Sequence, residues 1–517
     1  MSLKSMQRTV DYAALAKDAV RLRCATGEAA REKAHRHLSR RMGCMRGLPQ
    51  KLGQMLSFSM SGNNDERTGE YALLQESAEP LPWKTIDRVL AEAWGCDLQR
   101  HIAEIEWVGR AASLGQVHRA RLHDGREVAI KVQYPGMQAA IRTDLSALGW
   151  LSAGVGNLRQ GFDLDGYREA IRDGLDEELD YVNEAARQTA FACNWREDDS
   201  VIVPVVVNEL TRPNVLVTQW EDGEHWDEIR AKWTRTQRRQ LATTLLRVTL
   251  RGLLQHGMIQ ADWHPGNLRF RHSKKGAELV MYDFGSMCQP DRQTRIALAR
   301  LILAAMKTGE PPWPLFMAMG FDADYLRPLA KKLPALCRVL FEPFCSQHPY
   351  DACQWALSER VEGILGDDRW NLRLAGPPTL IYLMRAFHGL LHYVSGLHVA
   401  VDWRTPFLEV VEDLHPQLNA LKLPCEDEVE HADFGCLARH MKILVTENGH
   451  AKVQITQPAT NIERLNELLD DELQRRILDA GICLKSIVAD VRQRAFAPGP
   501  VFDFVQGNKQ VKVSLEN

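Results

Sequence analysis

Long apolar segments are absent from this sequence of 517 residues. The uncharged run at 145–158 is rich in Gly and Ser and falls short of the roughly 20 apolar residues that cross a bilayer. Residues 1–23 carry charges and show no apolar core of the kind found in secretory signals. We therefore expect a cytoplasmic protein that is soluble or peripheral to the membrane.

Paired cysteines, nucleotide-loop signatures and a strong net charge are also lacking. The eleven cysteines are scattered without a C-x-x-C pair, which indicates free thiols in a reducing compartment rather than disulfides or a zinc site. No G-x-x-x-x-G-K-[ST] loop occurs, and Gly154, Gly156 and Gly161 have the wrong spacing for a dinucleotide fingerprint. A net charge of −3 gives no reason to expect nucleic-acid binding.

The first part of the chain is nevertheless locally basic. Between Lys4 and Arg46 the basic residues outnumber the acidic ones, a pattern that favours contact with anionic membrane surfaces. The simpler interpretation is the solvated face of a helix, and the sequence leaves both interpretations open.

The segment 260–285 (QADWHPGNLRFRHSKKGAELVMYDFG) contains the most informative spacing. Asp262 is followed five positions later by Asn267, and Asp283 opens a D-F-G sequence. A predicted hairpin between them, with its turn at 274–276, would bring the three side chains to one end of a strand pair. Two carboxylates and an amide oxygen suit Mg²⁺ and nucleotide phosphates, and protein kinases use this grouping.

A second predicted hairpin lies upstream, around Asp124-Gly125, a dipeptide that favours tight turns. Its second strand contains a V-A-I-K sequence, and in kinases the lysine of this motif, here Lys131, contacts the α- and β-phosphates of ATP. The loop before the hairpin has Ala111-Ala112-Ser113 where kinases have glycines. Small residues still let the backbone approach phosphate, although with less freedom in φ than Gly.

Lys131 requires an anionic partner, and a predicted helix at 167–187 offers Glu178, Asp180 and Glu184. Asp180 and Glu184 lie four residues apart and would share one helical face. We assign Glu184 to Lys131 and expect another of these acids to act elsewhere.

The hinge between two lobes is expected after strands at 201–207 and 214–218. Backbone groups of Gln219, Trp220 and Glu221 would meet adenine there. Helices are predicted at 82–104, 236–256, 291–307, 461–469 and 472–493. Gly257 occupies the position expected of a helix stop.

A platform for a peptide substrate is missing from the pattern. Only residues 286–290 separate the D-F-G sequence from the next predicted helix, and no A-P-E sequence follows. This spacing argues against an ordinary protein kinase.

The C-terminal part has a different composition. An acidic stretch at 425–433 precedes two predicted hairpins, around Asn448-Gly449 and Gly507-Asn508. We find no catalytic grouping in it and expect an α+β module for interaction, packing or self-association.

These motifs, taken in order over 48–406, resemble the UbiB/AarF family of atypical kinases, which includes the coenzyme Q biosynthesis ATPases. The matching positions are Lys51 and Gln54 of K-x-G-Q; Ala111, Ala112 and Ser113 of an Ala-rich loop; Lys131; Glu178 and Asp180 of E-x-D; Glu184; and Asp262, Asn267 and Asp283.

The resemblance implies a role for each group. Asp262 would be the catalytic Asp, Asn267 and Asp283 would bind Mg²⁺, and Lys131 with Glu184 would bind ATP. The regulatory K-x-G-Q helices would fold across the site towards the E-x-D acids and exclude peptides. ATP hydrolysis, or transfer to a small or lipid-like substrate, is then the expected chemistry.

Three residues depart from the family pattern. Arg110 stands where the first Ala of the loop is common, and Gln260 and Trp263 replace a His and a Pro near the catalytic Asp. Membrane helices like those at the C-terminus of the bacterial ubiquinone-biosynthesis member are not seen, so we expect a soluble paralogue or a coenzyme-Q-ATPase-like member, with the pathway left open. Nucleotide preference is open because of Arg110.

We therefore expect an α+β, protein-kinase-like fold with four parts: an N-terminal helical extension (1–105), an N-lobe (106–220), a C-lobe (221–420) and a C-terminal module (432–517). ATP and Mg²⁺ are the expected cofactors, and an anionic membrane or a lipid-like substrate is a candidate partner. The alternatives are a small-molecule or protein phosphotransferase, and a nucleotide-gated scaffold with little turnover.

Overall fold

The computed structural model describes residues 80–112, 114–141, 177–307, 310–424, 437–448, 450–465, 483–493, 496–506 and 508–516, with scattered residues elsewhere. Lys51 and Gln54 of K-x-G-Q, the loop residue Ser113 and the acidic stretch at 425–433 lie outside the described residues. The chain divides into two compact units. The first comprises 1–290, 351–353 and 378–401, and the second comprises 291–350, 354–377 and 402–517.

The described strands are β1 (Ile102–Ile105), β2 (Arg110–Ala111), β3 (Gly115–Leu122), β4 (Glu127–Gln133), β5 (Val201–Ile202), β6 (Val215–Gln219), β7 (Ile259–Gln260), β8 (Leu268–Ser273), β9 (Gly276–Met281), β10 (Met287–Cys288), β11 (His440–Glu447), β12 (His450–Pro458), β13 (Gly499–Gln506) and β14 (Lys509–Glu516).

The described α-helices are α1 (Trp83–Trp94), α2 (Tyr181–Trp195), α3 (Trp226–Lys232), α4 (Arg235–Arg251), α5 (Arg292–Lys307), α6 (Pro312–Ala318), α7 (Ala323–Leu326), α8 (Leu333–Leu340), α9 (Glu342–Cys345), α10 (Leu357–Leu365), α11 (Arg369–Ala375), α12 (Leu380–Gly396), α13 (Arg404–Ala420) and α14 (Leu484–Gln493). None of the described helices is long and apolar enough to span a bilayer.

The first unit contains an antiparallel sheet in the order β1-β3-β4-β6, with β2 beside β3. Strand β4 alternates with period two, so Val128, Ile130 and Val132 are fully buried on one face. Helix α1 covers that face through an apolar stripe that includes Ile86 and Leu90. The opposite face of β4 is left for Lys131.

The rest of the first unit places the D-F-G segment. Strands β8 and β9 form the predicted antiparallel hairpin, β5 joins β9 in parallel, and β7 pairs with β10. The predicted helix at 236–256 is confirmed, although its last turn, Gly252–His256, is π-helical. Gly257 ends it in the left-handed region at φ 66°, where glycine has no steric penalty.

Three predicted elements of the first unit are wrong in extent. Residues 82–104 do not form one helix, because Gly95 caps α1 at φ 65° and the chain continues into β1. The strand at 201–207 ends after Ile202, since Pro204 has no N–H for a ladder. The helix at 167–187 is interrupted at Asp180, whose side chain instead caps α2.

The second unit contains α5–α11, α13 and the C-terminal module. The module's two predicted hairpins are confirmed as one antiparallel sheet in the order β12-β11-β14-β13. Where the structure describes them, its helices differ from those predicted. Ala459–Arg464 is a 3₁₀-helix, and the helix at 472–493 is broken at the non-helical Cys483, shortly after Gly481, a poor helix former.

Candidate active site

A buried ion pair joins the first unit's sheet to helix α2. The Lys131 ammonium donates to both carboxylate oxygens of Glu184, at 2.8 and 3.0 Å. It also lies 3.2 Å from Oδ2 of Asp283, which is 152 residues away in sequence. Glu184 is fully buried, whereas 19% of the Lys131 side chain stays exposed. The fold thus gathers three of the predicted site residues around one ammonium group.

The start of helix α2 fixes the position of Glu184. The Asp180 carboxylate accepts hydrogen bonds from two backbone N–H groups of the first turn, at 3.1 and 3.2 Å. Tyr181 and Glu184 are three residues apart and share the face that meets Lys131. The Tyr181 ring centroid lies 5.0 Å from Lys131 Nζ, within range of a cation–π contact. Asp180 therefore acts on Lys131 through the helix, not directly.

Glu178, the first acid of E-x-D, lies beside the D-F-G glycine. A Cβ added to Gly285 would stand 3.4 Å from Glu178 Cγ. Arg187 of α2 donates to the Gly285 carbonyl oxygen at 3.2 Å. The segment around Glu178 and helix α2 thus hold the D-F-G backbone from one side.

Burial and charge act in opposite directions on the ion pair. Burial raises the pKa of Glu184 to about 7, although the charge of Lys131 opposes the rise. For Lys131, burial disfavours the ammonium form, but the carboxylates of Asp283 and Glu184 hold its pKa well above the ordinary value. Lys131 is therefore a cation throughout the neutral range, while Glu184 exchanges its proton near pH 7.

Replacing Glu184 with Gln is expected to flatten the pH dependence of stability. Because the folded-state pKa is raised above the ordinary 4.5, this carboxyl stabilises the fold below pH 4.5 and loses that contribution as pH rises through about 7. This contribution of the Glu184 carboxyl to the free energy of unfolding is on the order of 3 kcal/mol. Denaturant unfolding at pH 5 and pH 8 would measure it. An equal pH dependence in wild type and Glu184→Gln would contradict the assignment.

The D-F-G segment is held by both backbone and side-chain contacts. Phe284 is buried against Phe191 of α2, with ring centroids 5.3 Å apart, and its N–H points to Glu184 Oε1 at 3.3 Å. The Gly285 N–H donates to Asp283 Oδ1 at 2.9 Å. The second Asp283 oxygen is thereby directed to Lys131.

Asp262 follows β7 and is buried, with 9% of its side chain exposed. Arg385 of α12 places Nη2 3.7 Å from Asp262 Oδ1 and is itself 7% exposed. Gln260, at the position where the family often has His, donates from Nε2 to the Asp283 backbone oxygen. This side chain connects the catalytic loop to the D-F-G segment.

Trp263 packs against Gly389 of helix α12. Its indole N–H donates to the Gln260 carbonyl at 2.8 Å, and its ring is 2% exposed. A Cβ added to Gly389 would lie 2.4 Å from Trp263 Cβ, closer than any real contact. The bulky Trp263, at a position where the family often has Pro, is accommodated here by a glycine on the facing helix.

Gly389→Ala is expected to destabilise the first unit and to lower activity. Where a helix has free space around the glycine, Gly→Ala stabilises the fold by roughly 1 kcal/mol. A loss of stability in this variant would therefore be caused by the clash with Trp263. Overpacking against Trp263 should cost about 1–3 kcal/mol and displace the neighbouring Asp262. Thermal unfolding and steady-state kinetics of the variant would test this. A gain in stability would show that Trp263 moves without cost.

Asn267 lies at the open end of the β8–β9 hairpin. Its Nδ2 donates to the backbone carbonyl oxygen of Asp262 at 3.2 Å, and the backbone carbonyl oxygen of Asn267 accepts from the Tyr282 N–H at 3.0 Å. The Asn267 side-chain oxygen and the Asp283 carboxylate are the hard donors that Mg²⁺ prefers. No group of three or more His, Cys, Asp or Glu side chains suited to a metal occurs among the described residues. A Mg²⁺ ion held by this pair would therefore take its remaining ligands from phosphate oxygens and water.

The Ala-rich loop makes a tight turn above β4. The Ala112 N–H donates to the Gly115 carbonyl at 2.7 Å, and Ala111 pairs with Gln116. A Cβ on Gly115 would lie 2.3 Å from the Val132 carbonyl oxygen, so glycine is required there. The loop's backbone comes close to the strand that carries Lys131.

The predicted hinge already uses part of its backbone within the chain. The Gln219 and Trp220 N–H groups donate to other carbonyls, at 2.7 and 2.9 Å. The Glu221 carbonyl accepts from the Tyr282 hydroxyl at 2.6 Å. The guanidinium groups of Arg110 and Arg119 lie 5.7 and 4.8 Å from the Trp220 ring centroid. Arg110, the departure in the loop, thus contacts the hinge.

Sequence reasoning missed Arg385, Tyr181 and Tyr282. Arg385 lies in an apolar-periodic helix more than a hundred residues after Asp262, and no local pattern connects the two. Tyr181 could have been found, because it follows E-x-D directly and stands three residues before Glu184. Tyr282 immediately precedes Asp283, and the sequence pattern predicts only a strand residue at this position.

Comparison with known proteins finds atypical kinases among the relatives of this chain. Residues 73–310 match the ABC1 atypical kinase-like domain. The chain is 30% identical over 347 residues to "Atypical kinase COQ8, mitochondrial" of Schizosaccharomyces pombe, covering 65% of this chain and 56% of that protein. It is 28% identical to "Atypical kinase COQ8B, mitochondrial" of Rattus norvegicus, covering 74% and 72%.

A solved structure, the complex of Rv3197 with erythromycin from Mycobacterium tuberculosis, is 27% identical and covers 74% of this chain and 96% of that one, with a TM-score of 0.49. The chain spans little more than half the length of the fission-yeast relative. The domain match, together with the sheet and helices around Lys131, confirms a kinase-like α+β fold.

Proposed function

Because the chain belongs to the UbiB/AarF family of atypical kinases, we propose that it is a Mg²⁺-dependent ATPase that supports isoprenoid-quinone or other lipid metabolism. The single observation that supports catalysis most directly is the contact of Lys131 with both Glu184 and Asp283. This buried charge network is costly to form, and it holds a cation at the position where the phosphates of ATP would bind.

Each of the gathered side chains has a separate task in the proposal. Lys131 contacts the α- and β-phosphates, and Glu184 fixes the position of the Lys131 ammonium group. Asp262, steadied by Arg385, orients or deprotonates the attacking water or hydroxyl. This division follows the physics of phosphoryl transfer, in which positioning and charge supply most of the catalysis.

Asn267 and Asp283 would hold Mg²⁺, which supplies charge neutralisation at the phosphates. Asp283 is prepared for this by its Gly285 hydrogen bond and its Lys131 contact. Asn267 is prepared by its bond to the Asp262 backbone. Gln219, Trp220 and Glu221 would border the adenine ring, with Ala111, Ala112 and Ser113 above the phosphates.

Water or a small, lipid-like acceptor is the proposed co-substrate. The six residues between Gly285 and Arg292 are too few for the platform on which kinases hold peptides. The regulatory role of Lys51 and Gln54 against Glu178 and Asp180, and a peripheral contact with anionic membranes, belong to the same proposal.

Transfer of radiolabel from γ-labelled ATP tests the proposal against its alternatives. The purified chain is incubated with labelled ATP and Mg²⁺, with anionic liposomes, with a lipid extract or with soluble lysate. Label recovered as free phosphate supports the ATPase. Label recovered in a lipid, metabolite or protein band indicates a phosphotransferase. Tight nucleotide binding without release of label in any mixture would favour a nucleotide-gated scaffold.

A further inference from the structure

The second unit contains a small cavity that the kinase-like site does not use. It has a volume of about 50 Å³ and lies between helix α8 and the C-terminal module. This is several times the roughly 10–15 Å³ that one water molecule requires. The lining is mostly apolar, with Val339, Leu437 and Phe496 among its residues, and it also includes Arg338 and Arg439.

Arg338 is the unusual member of this lining. Its Nε and Nη2 atoms are buried and make no hydrogen bond to any group in the described part of the chain. A guanidinium always carries its charge and offers five donors in a planar fork. Buried donors without a hydrogen-bond acceptor are unfavourable, so an acceptor placed beside these two nitrogens would be stabilising.

Hydrogen bonds fix the backbone of residues that line the cavity around Arg338. The buried Trp355 donates from its indole N–H to the Val339 carbonyl at 2.9 Å, which fixes the end of α8. On the opposite side Phe496 has a φ of 57°, an uncommon value for an aromatic residue. The Ala438 N–H donates to the Phe496 carbonyl at 2.9 Å and holds it there. Strained residues of this kind often mark ligand sites.

From this cavity and the two guanidinium nitrogens of Arg338 that lack an acceptor, we infer a binding site for a small oxyanion, a phosphate or a carboxylate, carried by an apolar group. Arg338 binds the anion through its planar fork, and Arg439 adds a second positive charge at the same cavity. The cavity of about 50 Å³ is filled by the oxyanion, and its apolar walls contact the first carbon atoms of the attached group, which extends out of it. A soluble amphiphile and the headgroup of an anionic lipid share this chemistry.

The test compares the full-length chain with Arg338→Leu by calorimetric titration and thermal unfolding. The probes are inorganic phosphate, n-octyl phosphate, and phosphatidylcholine vesicles with and without phosphatidic acid. Wild type should bind octyl phosphate more tightly than phosphate, and Arg338→Leu should lose at least about tenfold in affinity for both. Binding to the acidic vesicles alone would identify a lipid headgroup as the source of the anion. The nucleotide site is the same in both proteins, so the difference reports on the cavity.

The matched control is Arg327→Leu, an exposed arginine of the same unit, which should bind the probes as wild type does. Without ligand, Arg338→Leu should unfold at a temperature no lower than wild type, because two buried donors without acceptors have been removed. A lower unfolding temperature together with unchanged phosphate binding would make Arg338 a structural residue. Ala459→Leu narrows the cavity and keeps Arg338, so undiminished octyl phosphate binding by this variant would overturn the proposal.

Discussion

Asp283→Asn should lower the rate of ATP hydrolysis by at least about 100-fold, the scale seen when one preorganised charge contact is removed. Asn keeps the shape of Asp283 and its bond from the Gly285 N–H, but it removes the negative charge that a cation would need. Steady-state phosphate release at saturating ATP measures the effect on kcat.

The same substitution should affect the fold much less than the rate. Asp283 is a secondary partner of Lys131, at 3.2 Å, while Glu184 stays at 2.8 Å. Asp227→Asn is the matched control, because Asp227 is an exposed residue of α3 and the change removes the same charge. Equal rates for Asp283→Asn and Asp227→Asn would refute the assignment of Asp283.

Lys131→Met should abolish turnover and also destabilise the first unit at neutral pH. Without the ammonium, the buried Glu184 carboxylate faces Asp283 with no compensating charge. Breaking a buried pair from one side costs about 3–5 kcal/mol. The loss should be larger at pH 8 than at pH 5, because Glu184 can take up a proton at the lower pH.

A double variant separates the structural loss from the catalytic one. Lys131→Met with Glu184→Gln removes both charges of the pair and should recover most of the stability. It should recover none of the hydrolysis, since the phosphate-binding cation is still missing. Denaturant unfolding and phosphate release of the two single variants and the double variant complete the cycle. Recovered turnover in the double variant would show that Lys131 acts only on stability.

Local sequence rules predicted the elements whose geometry is set within a few residues. The Asp124-Gly125 and Asn448-Gly449 pairs mark hairpins, and Gly257 ends a helix, because each turn or cap depends on its own φ angles. The ion pair of Lys131 with Glu184 was chosen from three acids by helix periodicity and family resemblance. That prediction assumed one uninterrupted helix at 167–187, whereas helix α2 begins directly after Asp180, which is its N-cap.

Contacts between distant segments were beyond the reach of such rules. Arg385 meets Asp262, and Gly389 accommodates Trp263, only because α12 packs beside the catalytic loop. Neither residue carries a local signal, since an arginine or a glycine in an apolar helix has several ordinary explanations. The strand at 201–207 failed for another reason, because its β-branched residues outweighed the effect of Pro204 in the pattern.

The most direct measurement of the central claim is phosphate release from ATP by the purified full-length chain, titrated with Mg²⁺ and with anionic liposomes present or absent. Asn267 and Asp283 should make hydrolysis strictly dependent on Mg²⁺, with no turnover in a chelator, and lipid should stimulate it. Hydrolysis that persists unchanged without a divalent cation, or ATP binding with no hydrolysis under any condition, would contradict the account.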